Sequence, residues 1–166
     1  MNAYHKHKDK LNKIKMLALD IDGTLTSGDL IYTANGEFIK TFNVKDGLGL
    51  KLLQEKGIIV AVISARKSSI VEFRMKELGI RFLYQGVEDK YSLVDGLTSQ
   101  FMLCWDNVAY VGDDLTDIPV LEKVGFSACP SDAVDDVITK CHYTTQQPGG
   151  KGAVREVADL ILKSRN

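Results

Sequence analysis

The chain has 166 residues, enough for one domain with a core of its own. Its 45% hydrophobic and 26% charged content is that of a soluble globular protein, and a formal net charge of −1 gives no global field for nucleic acid or a membrane surface. No apolar run approaches the roughly 20 residues needed to span a bilayer, and any attraction for an anion must be local.

Residues 1–14 open with Met1-Asn2-Ala3-Tyr4-His5-Lys6-His7-Lys8, which is basic and lacks the apolar stretch of a signal peptide. They read as a flexible, solvated leader, and residues 15–166 as a single domain. Met16-Leu17-Ala18-Leu19 is a short buried strand ending at Asp20. Next comes a hairpin over residues 28–43, in which Leu30-Ile31-Tyr32 and Phe38-Ile39-Lys40-Thr41-Phe42 flank Asn35-Gly36. That pair suits a type I′ turn, and the ribbon should project from the carboxyl edge of the sheet. Asp46 can cap a helix that stops at Gly57. Ile58 to Ile63 is rich in β-branched residues and reads as the second strand. Ser69 with Glu72 suggests a capping box for a helix ending before Gly79. Further strands are expected at Phe82-Leu83-Tyr84, Val108 to Val111 and Phe126-Ser127-Ala128. Further helices are expected at Lys90 to Gln100, Ile118 to Val124, Ala133 to Lys140 and Ala153 to Lys163. The alternation implies βαβ units, hence a three-layer α/β/α Rossmann-like sandwich around a central parallel sheet, with a projecting β-hairpin and no cap domain. Cys104, Cys129 and Cys141 are odd in number and show no paired spacing, which suits reduced thiols in the cytoplasm. The three histidines form no metal cluster with them, since His5 and His7 lie in the leader and His142 stands alone.

Polar residues follow several of the apolar strands. Asp20-Ile21-Asp22-Gly23-Thr24 comes after the first, Ser64 after the second and Gly112-Asp113-Asp114 after the fourth, while Lys90 opens a helix after the third. In a parallel sheet such strand ends converge on one crevice. Phosphoryl transfer needs an in-line nucleophile and cations or donors on the equatorial oxygens. A carboxylate can be that nucleophile if a cation stands between it and the phosphate, and Mg²⁺ takes carboxylate, carbonyl, water and phosphate oxygens together. Asp20 and Asp113 are placed to be its side-chain ligands. Asp22, two residues on, projects to the same side and can protonate the leaving alkoxide.

At these residues the chain resembles the haloacid dehalogenase superfamily, whose four motifs appear in order as Asp20 to Thr24, Ser64, Lys90, and Gly112-Asp113-Asp114-Leu115-Thr116-Asp117. The resemblance implies that Asp20 is the nucleophile and Asp22 the general acid, then base. Ser64 and Lys90 would bind phosphoryl oxygens, and the Asp22 backbone carbonyl would join Asp20 and Asp113 around Mg²⁺. Asp114 or Asp117 would support the metal shell or orient Lys90. The second aspartate of the first motif is the mark of the superfamily's phosphatases. A phospho-receiver domain also combines aspartates, Mg²⁺ and a lysine on a parallel sheet. It places its aspartate on a middle strand and its lysine after the acidic groups, against the order found here.

Neither gap between the motifs can hold a globular cap, so a neighbouring subunit or a macromolecular substrate must cover the crevice. Phe42-Asn43-Val44-Lys45-Asp46-Gly47-Leu48-Gly49, Ile63-Ser64-Ala65-Arg66 and Gly149-Gly150-Lys151-Gly152-Ala153-Val154-Arg155-Glu156 look like the 3-deoxy-D-manno-octulosonate (KDO) 8-phosphate phosphatase family. That resemblance implies a cytoplasmic homotetramer, assembled through its hairpins, that acts in lipopolysaccharide biosynthesis. Lys45, Arg66, Lys151 and Arg155 would supply positive charge for a substrate bearing both carboxylate and phosphate. A nine-carbon acidic sugar phosphate of the sialic acid type is the alternative substrate. Arg66 favours the octulosonate, because nine-carbon relatives tend to carry an acidic residue there. Many members continue past the last helix into a tail that reaches the neighbouring site, whereas this sequence ends at Ser164-Arg165-Asn166 and leaves closure by a tail open.

Overall fold

The computed structural model describes residues 3–165, apart from the side chains of Glu37 and Phe38. Six strands form one parallel sheet: β1 (Met16–Leu19), β4 (Ile59–Ser64), β5 (Phe82–Gln85), β6 (Val108–Val111), β7 (Phe126–Cys129) and β8 (Tyr143–Thr144), in the order β5-β4-β1-β6-β7-β8. The chain winds outward from β1 through β4 to β5, then crosses back to β6 and continues the other way. The order therefore reverses beside β1, where open α/β sheets bind ligands. β8 is absent from the sequence reading because two residues at a sheet edge carry no periodicity of their own.

Side chains alternate across the pleat and feed two cores. Leu17 and Leu19 of β1 point to one side, with Val60, Val62, Ala109, Val111 and Ala128. Helices α2 (Val44–Glu55), α3 (Ser69–Glu77) and α7 (Ala153–Lys163) cover that side with Leu50, Leu53, Val71, Met75, Val154, Val157 and Ile161. Met16 and Ala18 point to the other side, against Val94 and Leu97 of α4 (Lys90–Gln100), Val120 and Leu121 of α5 (Ile118–Leu121) and Val137 of α6 (Asp135–Ile138). Burial on both faces makes β1 a continuous apolar run rather than an alternating one. Each fully buried Leu or Val contributes about 1.5–3 kcal/mol. The expected three-layer sandwich is therefore the structure observed.

Several local features differ from expectation: Ser68 rather than Ser69 stands at the N-cap of α3, without a side-chain cap bond, and α5 and α6 are shorter than the sequence suggests. Residues 3–11, read as part of a flexible leader, form helix α1 (Ala3–Leu11), whose Tyr4, His7 and Leu11 are buried. Spacing of three and four places these side chains on one face, and Leu11 and Ile14 are wholly enclosed by the first core. Basic residues occupy the remaining faces and hide the pattern in the sequence. The ribbon pairs β2 (Ile31–Thr33) with β3 (Gly36–Ile39), a shorter ladder than residues 28–43. Thr33 faces Gly36, so Ala34 and Asn35 are the central residues, and of the ribbon's turn only Gly36 has a positive φ, +111°. A type I′ turn needs both central residues there, so the turn is of another type. Finally, Asn43 caps α2 by accepting from the Lys45 amide at 2.8 Å. Asp46 is buried and accepts instead from the Gly152 and Arg155 amides at 3.2 and 2.7 Å, capping α7 from a neighbouring helix.

Candidate active site

The carboxyl ends of β1, β4 and β6 bring the sequence motifs together. Asp20 follows β1 and is 7% exposed, Ser64 ends β4, and Asp113 follows β6 after Gly112. Lys90 opens α4 under the cap of Asp89 and reaches inward, its Nζ donating to Asp20 Oδ1 at 2.8 Å and Asp117 Oδ1 at 2.7 Å. Oxygens of Asp20, Asp113 and Asp117 lie within 4.8 Å of one another. Gly23 has φ +88°, and a Cβ on it would stand 1.9 Å from Asp113 Oδ2, so only glycine fits between the first and last motifs.

The electrostatics are those of a cation site. Burial, then the charge of Asp117, raises the Asp20 carboxyl to about 6 despite the ammonium of Lys90. Burial, then Asp20 and Asp117, raises Asp113 to about 8. Burial pulls Lys90 down, but the charges of Asp20 and Asp117 outweigh it and leave the ammonium favoured. One lysine cannot balance three clustered carboxylates, and a hard divalent cation with oxygen ligands fits this donor set.

The remaining candidates divide. Asp117 is fully buried: its Oδ1 accepts from Lys90 Nζ and Tyr110 Oη, and its Oδ2 from the Asp113 and Asp114 amides. It thus contacts Lys90 directly, whereas the exposed Asp114 turns away and accepts from the Leu115 amide at 2.7 Å. Asp22 is half-buried at the mouth, where Arg66 Nε approaches its Oδ2 to 3.8 Å. Ser64 Oγ accepts from the Arg66 amide at 3.1 Å, which leaves the hydroxyl proton available to a ligand. Lys45 and Lys151 are exposed, the latter on a loop that leans on the first motif through the Gly150 amide and Thr24 O at 3.0 Å. Arg155 Nε is engaged by Asp159 Oδ1 at 2.7 Å along its own helix.

Sequence reasoning missed four participants. Thr24 Oγ1 donates to Asp113 Oδ1 at 3.2 Å, and its place inside the first motif was the available signal. Tyr110 lies within an apolar strand and its hydroxyl has no signature there. Lys40, which pairs with Asp22, and Tyr32, which accepts from Arg66 Nη2 at 2.6 Å, lie in the hairpin, whose sequence signals a turn and two strands but no role at the site.

Residues 82–157 match the haloacid dehalogenase-like hydrolase model. The chain is 46% identical over 153 residues to 3-deoxy-D-manno-octulosonate 8-phosphate phosphatase of Escherichia coli K12, covering 92% of this chain and 81% of that one. The corresponding Yersinia pestis protein is 44% identical over 154 residues, covering 92% and 82%. The crystal structure of the Moraxella catarrhalis phosphatase, in complex with magnesium ion, phosphate ion and KDO, superposes with TM-score 0.93 at 41% identity over 96% of this chain and 92% of that one. The cobalt-bound Haemophilus influenzae phosphatase superposes with TM-score 0.91 at 41% identity, over 94% and 91%. On this identity, coverage and shared architecture, the chain belongs to the 3-deoxy-D-manno-octulosonate 8-phosphate phosphatase family of haloacid dehalogenase-like hydrolases.

Proposed function

We propose that the chain is a Mg²⁺-dependent phosphatase that hydrolyses KDO 8-phosphate to KDO and inorganic phosphate. The observation that carries this reading is the cluster of buried Asp20 and Asp117, both paired with Lys90, and half-buried Asp113, with Asp22 at the mouth and Arg66 beside it. Asp20 attacks phosphorus in line, forming an aspartyl-phosphate as the ester oxygen departs. Asp22 gives that oxygen its proton, then takes one from the water that cleaves the aspartyl-phosphate and restores Asp20. Ser64 and Lys90 donate to the phosphoryl oxygens, and Asp117 with Tyr110 keeps Lys90 aimed. Bound through Asp20, Asp113 and the Asp22 carbonyl, Mg²⁺ neutralises the carboxylates and the phosphate so that attack is not repelled.

Arg66 is suited to the substrate carboxylate, with Lys45 and Lys151 adding exposed positive charge, while Arg155 would have to give up Asp159 to join them. A cytoplasmic homotetramer completes the proposal, supported by the free thiols of Cys104, Cys129 and Cys141 and by an apolar ribbon beside the open crevice. The test is phosphate release with Mg²⁺ over a panel of KDO 8-phosphate, nine-carbon acidic sugar phosphates and neutral hexose phosphates. The octulosonate should be preferred, and chelation should abolish turnover. Equal rates on neutral sugars, or full activity after exhaustive chelation, would defeat the reading.

A further inference from the structure

The candidate general acid and the hairpin meet at one lysine. Lys40 directly follows β3, and its Nζ is ion-paired with Asp22 Oδ1 while its side chain is only 1% exposed. On the other oxygen stands Arg66, which in turn donates to Tyr32 of β2. Both cations at Asp22 thus lead into the ribbon. An ammonium withdrawn from water is costly unless a carboxylate accompanies it. Lys90, the other buried lysine of the site, is committed to Asp20 and Asp117.

We propose that Lys40 is a positioning residue for Asp22: it fixes the side chain on the line of the leaving oxygen, where the protonated carboxyl gives up its proton and the resulting carboxylate then takes one from water, and it makes that exchange depend on how the hairpin is held. The proposal rests on the reading of Asp22 as general acid. Without Lys40, the half-buried carboxylate can turn toward Arg66 or solvent, and a displacement of about 1 Å can cost on the order of 10²-fold in rate. In ester cleavage, the first half-reaction, that loss should follow the leaving group's need for a proton, because attack by Asp20 on phosphorus does not pass through Lys40; the second half-reaction, in which Asp22 is the base, is common to every ester. A lysine that merely supported the fold would slow every substrate alike.

The experiment compares the full-length wild type, Lys40→Met, Lys40→Arg, Asp22→Asn and the Lys40→Met/Asp22→Asn pair, all with Mg²⁺. Each is assayed on an alkyl ester, KDO 8-phosphate, and on p-nitrophenyl phosphate, whose leaving group departs unaided. In single turnovers, Lys40→Met should lower the rate of ester cleavage by about 30- to 100-fold for the alkyl ester, with little change in its KM, and by less than about threefold for the aryl ester, read as release of p-nitrophenol. Lys40→Arg should recover part of the loss, and Lys40→Met should cost nothing further once Asp22 is Asn. Should Lys40→Met lose the wild-type circular dichroism and melting transition, Lys40→Gln, which keeps a donor, takes its place in the same comparison. Equal losses of cleavage rate on both esters, or additive losses in the double variant, overturn the positioning role. A slow Asp22→Asn beside a normal Lys40→Met removes that role alone, whereas an Asp22→Asn with full alkyl turnover removes the reading of Asp22 and the proposal together.

Discussion

Asp20 and Asp113 are held close together at the end of a dry sheet, and burial raises both carboxyls well above the usual range. Such an arrangement is unfavourable for the fold and suits the proposed chemistry, in which concentrated negative charge would hold a cation and Asp20 would attack what the cation brings. Asp20→Asn keeps the size of the side chain and an oxygen that can accept from Lys90, but removes the charge that would attack. Turnover should fall by on the order of 10⁴-fold with the melting temperature unchanged or raised, as stopped assays and calorimetry would record. Near-normal turnover in that variant would mean that Asp20 is not the nucleophile. Residues of this kind were legible because each stands directly after an apolar strand, where sequence position alone predicts convergence. Tyr110 and Asp46 were not, because their partners come from packing. Asp46 meets the Gly152 amide across 106 positions of sequence, while the reading assigned it to its own helix.

At the scale of elements, amphipathic helices with clean ends were the most legible. Helices α4 and α7 begin and end where their apolar spacing and flanking residues place them. Helix α1 was hidden by its charge, and its packing has a consequence for pH. His7 lies against Phe126, with ring centroids 5.5 Å apart, and 6.4 Å from His142, so the two histidines read as separate form one cluster. Burial lowers both below the ordinary 6.5, and the charge of Lys10 adds to this in each case. An unfolded chain then binds protons that the folded one refuses, so the contribution to stability is complete above about 6.5 and is lost as pH falls through the lowered values. Asp20 and Asp113, raised rather than lowered, act with the opposite sign, so the overall pH profile does not isolate the histidines. His7→Leu keeps an apolar contact and removes one titrating group. Without metal, the wild type should lose more melting temperature than His7→Leu between pH 7.5 and about 5.5. Parallel profiles would show that α1 stays docked regardless of the His7 charge.

The whole molecule carries an unusual amount of apolar surface on one small ribbon. Leu30, Ile31, Tyr32 and Ile39 are 42%, 45%, 54% and 39% exposed, and nearby on α2 Val44 is 78% and Leu48 49% exposed. An isolated two-stranded ribbon is marginal in water, so these faces need cover. Two arrangements would supply it. In one, hairpins of several subunits pack around a symmetry axis and each subunit helps to roof its neighbour's crevice. In the other, the hairpin bends over its own site as a small lid, and the links from Lys40 to Asp22 and from Tyr32 to Arg66 already tie its base there. Those links are compatible with either outcome, since they fix the root of the ribbon and leave its apolar residues outward. Ile31 and Ile39 lie opposite each other in the ladder, so lysines at both would place like charges side by side on one face. The Ile31→Lys/Ile39→Lys variant should be monomeric by light scattering. Its KM for KDO 8-phosphate should rise about tenfold or more, equivalent to at least about 1.4 kcal/mol of lost binding, with a smaller change for p-nitrophenyl phosphate. A wild type that scatters as a monomer at full activity would leave the lid as the only cover for the site.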